Sequence, residues 1–216
     1  MNYILRNGLI VNEGKSFYGD IYIKNGRIER IGTSLQIDEA TEEINCEGKY
    51  ILPGCIDDQV HFREPGLTHK ATIFTESLAA VAGGTTTFME MPNTVPSAVT
   101  IEKLEEKYAI AAQSSLANYS FYLGTTNNNI EEIKRVNPET ICGVKIFMGS
   151  STGDMLVDDP QALEDVFHYS PTIITTHCED DPMIKQNFQK YLQEYGDELP
   201  AKFHPLIRSE EACYKS

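Results

Sequence analysis

The stretch GCIDDQVHFREPG at 54–66 carries the residue types of a metal centre with one ligand position altered. His61 stands where a β-strand should end, and an imidazole nitrogen there can bind zinc at about 2 Å. Two residues earlier, where a second histidine would complete an H-x-H pair, the chain has Gln59. Its neutral amide oxygen is a much poorer zinc ligand. Side chains alternate faces along a strand, so Asp57, Gln59 and His61 are expected to share one face. The alternative for Gln59 is an ordinary interior amide. Lys145, in GVKIFMG, falls by the same alternation on an interior face with Phe147. Burial of an ammonium is costly and lowers its pKa. A neutral amine beside cations can take up carbon dioxide, and the resulting carbamate has two oxygens able to bridge two metals. The plainer alternative is a lysine that snorkels at a rim or pairs with an acidic neighbour.

These residues need a scaffold, and the chain changes rhythm near residue 52. YILRNGLIV (3–11) and YGDIYIKNGRIERIG (18–32) are β-like runs, and Asn25-Gly26 between alternating apolar positions signals a type I′ hairpin. Residues 42–52 read as a further strand pair, so 1–52 is expected to be a small β module without a helix. From Pro53 onward, strand and helix patterns alternate five times. The strands are GCIDDQVHF, TTTFMEM, ANYSFYLG, ICGVKIFM and TIITTHC. Helical spacing follows each of them, in TIFTESLAAVAGG, TIEKLEEKYAIAAQSS, NIEEIKRV, DPQALEDVFHYS and DDPMIKQNFQKYLQEYG. Such alternation predicts a parallel sheet with helical crossovers. The expected fold is α/β, a partial (β/α)8 barrel over 53–216 preceded by the β module. In such a barrel the carboxyl ends of the strands build the site. His61 and Asn93 follow the first two of these strands, Lys145 lies within the fourth and His177 ends the fifth, so the four are expected to converge on one face. His69 and His204 are expected in surface loops, and His168 on an outer helix face.

Composition narrows the classes. Of 216 residues, 18 are basic and 32 acidic, a net charge of −14. That balance argues against nucleic acid or an anionic membrane as partner, since both need a basic footprint. No apolar run approaches the ~20 residues of a membrane span. The five cysteines are scattered, with no C-x-x-C. They fit reduced thiols in a cytoplasm, each expected as a small core residue.

Taken together and in order, PGCIDDQVHFREPG, MPNTVP, GVKIFMGSS and TTHCED resemble the first half of a dihydroorotase of the amidohydrolase superfamily. The resemblance implies interconversion of N-carbamoyl-L-aspartate and dihydroorotate in pyrimidine synthesis, with a zinc-bound hydroxide attacking the ring amide. It implies one or two zinc ions, His61 and His177 as ligands, a carboxylated Lys145 as bridge, and Gln59 as a doubtful ligand. It implies that Arg63 and Asn93 hold the substrate carboxylate. The alternative for Arg63 is an ion pair with Glu64 or Asp58. The family's third metal histidine and general-base aspartate are expected beyond residue 216, so these 216 residues alone are expected to be inactive. The resemblance also implies a homo-oligomer and association with aspartate transcarbamoylase. Two other readings stay open: a non-catalytic partner of that transcarbamoylase, favoured by Gln59, and an allantoinase or hydantoinase.

Overall fold

Asn25 and Gly26 both take left-handed backbone, with φ of 53° and 74°. Two successive positive φ values are what a type I′ turn requires. The turn joins β2 (Lys15–Lys24) to β3 (Arg27–Gly32), as the sequence pattern predicts. The computed structural model describes residues 1–149 and 155–216, so Ser150 and Ser151 of the GVKIFMGSS motif lie outside the described residues. It divides into two compact units, Met1–Gly54 and Cys55–Ser216.

In the first unit, β1 (Tyr3–Asn12) pairs antiparallel with β2. Residues 42–52 do not form a strand pair with each other. β4 (Glu42–Asn45) and β5 (Tyr50–Ile51) each pair parallel with β1, one after the other along its length. The intervening chain makes a turn, Lys49 N donating to Cys46 O, and then resumes on the same neighbour. Local pattern identified the strands but not their partner, because β-pairing is a tertiary choice.

Asp20 ties this unit together. It is 3% exposed and accepts hydrogen bonds from the backbone N–H of Asn7 (3.0 Å), the backbone N–H of Leu35 (2.9 Å) and the Arg6 guanidinium (2.9 Å). Burial acts to raise its pKa, but these donors win and hold it below the ordinary carboxylate value. A lowered folded-state pKa stabilises above the unfolded pKa and is lost as pH falls through the folded one. Asp20→Asn is therefore expected to cost about 1–3 kcal/mol at neutral pH. The deficit should shrink in urea melts taken at a pH well below the ordinary carboxylate range. An equal deficit at both pH values would sink the assignment.

The second unit is five consecutive strand–helix units. In chain order they are β6 (Cys55–Val60) and α1 (Ile73–Ala82), β7 (Thr85–Glu90) and α2 (Ile101–Ser114), β8 (Asn118–Gly124) and α3 (Ile130–Arg135), β9 (Gly143–Phe147) and α4 (Pro160–Tyr169), β10 (Ile174–His177) and α5 (Asp181–Tyr195). All four strand pairings are parallel, in the sequential order β10-β9-β8-β7-β6. This is the first part of a (β/α)8 arrangement, the fold class expected. Helix starts are encoded locally. Thr72 and Thr75 form a capping box on α1, and Thr100 caps α2. Asp159 and Asp180 cap α4 and α5 beside a proline in the first turn.

The core lies between one face of the sheet and its helices. It includes Phe62, Phe88, Phe121, Leu123, Val144 and Ile146 from the strands and their ends, and Ile73, Leu104 and Val166 from the helices. Each such side chain contributes about 1.5–3 kcal/mol on burial. The residues between them, Tyr122, Lys145 and Phe147, therefore point to the opposite face. There the Tyr122 hydroxyl donates to Asp58 O (3.0 Å), reaching across β7 to β6.

Two further expectations are corrected. Only Cys46 is buried, while Cys55 and Cys213 are exposed. His204 is not in a loop but begins a one-turn helix, α6 (His204–Ile207), which Pro205 helps to start. A last helix, α7 (Glu210–Lys215), follows, capped by Ser209. Among the described residues no helix is long and apolar enough to cross a membrane.

Candidate active site

A register shift in β6 falls between Asp57 and Val60, where Gln59 N donates to the Asp57 carboxylate (3.1 Å). A bulge adds a residue to one strand and resets its alternation. The expected common face of Asp57, Gln59 and His61 thus does not run unbroken, and Gln59 is exposed. Val60 and Phe62 pack on the helix side, so His61 between them turns to the opposite face.

His61 meets Asn93, which follows β7. Asn93 Oδ1 can only accept, so His61 Nδ1–H donates to it, at 2.8 Å. That fixes the tautomer and leaves the Nε2 lone pair available. Burial lowers the His61 pKa. Asn93 opposes that shift, and the positive charges of Arg63, Lys145 and Lys107 reinforce it. The ring is neutral at neutral pH, the form that ligates metals or accepts a proton.

Arg63 takes left-handed backbone, φ 70°. Its N–H donates to Glu90 Oε1 (3.2 Å) and its guanidinium to the carbonyl of Asn93 (3.4 Å). It pairs with neither Glu64 nor Asp58. Glu64 instead accepts from the Ile73 amide (2.7 Å) at the start of α1. The guanidinium fork therefore remains available to a carboxylate.

Lys145 sits mid-strand on β9, opposite Gly124 of β8 and Thr175 of β10, and is 4% exposed. Its Nζ lies 4.9 Å from the Phe147 ring centre. Among the described residues it has no hydrogen bond or carboxylate partner. Burial pushes its pKa down, with Cys178 acting weakly the other way. His177 is paired with Phe147 across β10 and β9, so it shares the face of Phe147 and Lys145. Its Nε2 faces Glu179 Oε2 and lies 3.3 Å from Arg208 Nη2. Arg208 also binds Glu179 Oε1 through Nε (2.7 Å). With Nε2–H directed at the carboxylate, Nδ1 of His177 carries the lone pair.

His61 and Arg63 thus both meet Asn93, the charge of Lys145 acts on the His61 ring, and His177 shares the face of Lys145. His69, His168 and His204 are exposed and take no part. Among the described residues no three His, Cys, Asp or Glu side chains group closely enough to hold a metal by themselves. Sequence reasoning missed Glu179 and Arg208, and the buried Glu90–Lys107 pair. The last was legible in principle. Lys107 interrupts the apolar stripe of α2 between Leu104 and Ala111, and Glu90 interrupts an apolar strand end.

Gly66 lets the loops after β6 and β7 meet. Its φ is 81°, and a Cβ there would lie 1.9 Å from Val95 O. The contact is fastened by Val95 N donating to Pro65 O (3.2 Å). Gly66→Ala is expected to cost at least about 2 kcal/mol in denaturant unfolding. A cost under about 0.5 kcal/mol would show that the loops do not touch there.

The parallel sheet, its helices and the polar residues at its strand ends define a chain of the barrel type found in hydantoinases. It superposes on an L-hydantoinase (dihydropyrimidinase) from Arthrobacter aurescens with a TM-score of 0.85 at 25% identity, covering 97% of this chain and 48% of that one. A D-hydantoinase (dihydropyrimidinase) from Thermus sp. gives 0.79 at 29%, covering 99% of this chain and 47% of that one. A family model described as Dihydro-orotase-like matches residues 48–210, and the chain belongs to that family. It is 35% identical over 202 residues to a dihydroorotase of Methanosarcina acetivorans, which covers 91% of this chain and 42% of that protein. It is 34% identical over 186 residues to a dihydroorotase of Listeria welshimeri, covering 84% and 43%. The chain spans less than half the length of these relatives.

Proposed function

We propose that these residues are part of a cyclic amidohydrolase that interconverts N-carbamoyl-L-aspartate and dihydroorotate in pyrimidine synthesis. The observation that carries the reading is the buried amine of Lys145, which has no carboxylate partner among the described residues and whose charge acts on a neutral His61. A buried amine without a counter-charge is costly as structure and useful as chemistry. Its lone pair can attack carbon dioxide, forming an N–C bond and releasing a proton, to leave a carbamate with two oxygens.

The donor set fits zinc. His61 offers Nε2, His177 offers Nδ1, and Lys145 offers carbamate oxygens, with Gln59 at best a weak addition. Zinc, when bound, would supply a Lewis acid and lower the pKa of bound water towards about 7. The chain's own residues orient the reactants. Asn93 holds the His61 tautomer, and Arg63 is placed to grip the substrate carboxylate while anchored to the Asn93 carbonyl. Dihydroorotate carries that carboxylate and a simple hydantoin does not. Asn93 Oδ1 is engaged by His61, which leaves Arg63 as the main charge-based discriminator. The same resemblance makes a homo-oligomer able to associate with aspartate transcarbamoylase part of the reading, and scattered free thiols fit a cytoplasm.

The test is turnover by the whole protein with dihydroorotate and with a hydantoin lacking the carboxylate, alongside its metal content. Hydrolysis of dihydroorotate, with Arg63→Met lowering kcat/KM for it by about 100-fold or more, supports the reading. Preference for the hydantoin moves it to the hydantoinase class. The exposed Gln59 favours one second reading, a non-catalytic partner of the transcarbamoylase. No turnover and no bound zinc would establish that instead.

A further inference from the structure

The Glu90 and Lys107 side chains are each 1% exposed and form an ion pair deep in the helix-facing core. What distinguishes this pair from ordinary core filling is where its remaining hydrogen-bonding groups go. Glu90 Oε1 accepts the backbone N–H of Arg63 (3.2 Å), and the Phe62 amide lies against the same carboxylate. Lys107 Nζ donates to the carbonyl of Met91 (3.0 Å), and Met91 N donates to Val60 O (3.0 Å). One end of the pair therefore holds the residues directly after His61. The other holds the residue that opens the Met-Pro-Asn loop. The two loops so fastened bring His61 Nδ1 and Asn93 Oδ1 to 2.8 Å.

We infer that Glu90 and Lys107 are positioning residues whose buried pairing sets the His61–Asn93 contact, and with it the ring nitrogen that His61 presents to the site. Neither side chain reaches that face of the sheet, since both lie on the helix side with Phe88 and Leu104. Their action is through backbone. A buried backbone N–H needs an acceptor, and at Arg63, with its left-handed φ, the ladder no longer supplies one. Glu90 supplies it, and Lys107 makes a buried carboxylate tolerable there. The inference rests on the reading of His61 and Asn93 as site residues, but its test does not depend on turnover.

The test compares two double variants with the parent whole protein, so that neither leaves a lone buried charge. Glu90→Leu with Lys107→Met removes the acceptor, whereas Glu90→Gln with Lys107→Met keeps one. Nitrogen shifts of the His61 ring in isotope-labelled protein report which nitrogen bears the proton. The parent and the Gln/Met variant are expected to show the Nδ1–H tautomer. The Leu/Met variant is expected to show a tautomer mixture and about tenfold faster exchange of the Arg63 amide. A pair that merely stabilises the core would leave the His61 signals of both variants alike, and that result overturns the inference. Should the variants fail to fold, amide exchange in the parent decides. Slow exchange at Phe62 and Arg63 supports the hold, and exchange as fast as at exposed loop amides refutes it. If the parent shows no turnover while the tautomer result holds, the functional reading falls and the positioning stands.

Discussion

Lys145→Met is expected to reduce turnover of dihydroorotate by the whole protein by at least about 1,000-fold, while leaving the fold as stable or more so. The two effects have one cause. Lys145 sits in the middle of β9, 4% exposed, flanked by apolar Val144 and Ile146 on the other face, with its Nζ 4.9 Å from the Phe147 ring centre. As structure, such an amine is a burden, and an apolar side chain of similar length removes it. Stability is expected to hold or rise by up to about 2 kcal/mol. As chemistry, the amine has no substitute, since neither methionine nor arginine can form a carbamate with carbon dioxide. Lys145→Arg should therefore be as inactive as Lys145→Met, although it keeps the positive charge. Activity of Lys145→Arg within tenfold of the parent would show that charge, not nucleophilic nitrogen, is what the site uses. A large loss of stability in Lys145→Met would show that the lysine is a structural residue after all.

The largest loss of stability is expected from Lys107→Met alone. This leaves the Glu90 carboxylate buried without its counter-charge while it still faces the Arg63 amide. Removing one partner of a buried pair costs about 3–5 kcal/mol, because the remaining charge cannot reach water. Burial already pushes the Glu90 carboxyl up and the Lys107 ammonium down, each held back by the other. Without Lys107, the carboxyl is expected to take up a proton more readily still. A raised folded-state pKa means that the folded form binds protons more tightly than the unfolded one, so the deficit should lessen as pH falls. Urea unfolding at two pH values reads both quantities. A deficit below about 1 kcal/mol would mean that water reaches Glu90.

Much of the architecture was written locally. The Asn25-Gly26 turn, the capping threonines and aspartates, and the fivefold alternation of strand and helix are short-range properties. Backbone sterics and hydrogen bonding fix them within a few residues. Chain order then constrains a parallel sheet to sequential neighbours. For the same reason His61, Asn93 and His177 could be assigned to strand ends, and Lys145 to the interior of a strand, before any coordinates.

What sequence could not decide lies in contacts between distant segments. That β4 and β5 share β1, rather than each other, depends on a turn at Cys46–Lys49 and on an open edge elsewhere in the chain. The bulge that interrupts the Asp57–Gln59–His61 alternation depends on pairing with β7. The tautomer of His61 depends on a residue 32 positions away, and the lone-pair side of His177 on Glu179, which Arg208, 29 positions beyond it, holds in an ion pair. By itself, the sequence determined which elements form and which residues stand at their ends, because those follow from local period and local chemistry. Tertiary structure decided which atoms of those residues are free to act, because that is set by partners which only folding brings together.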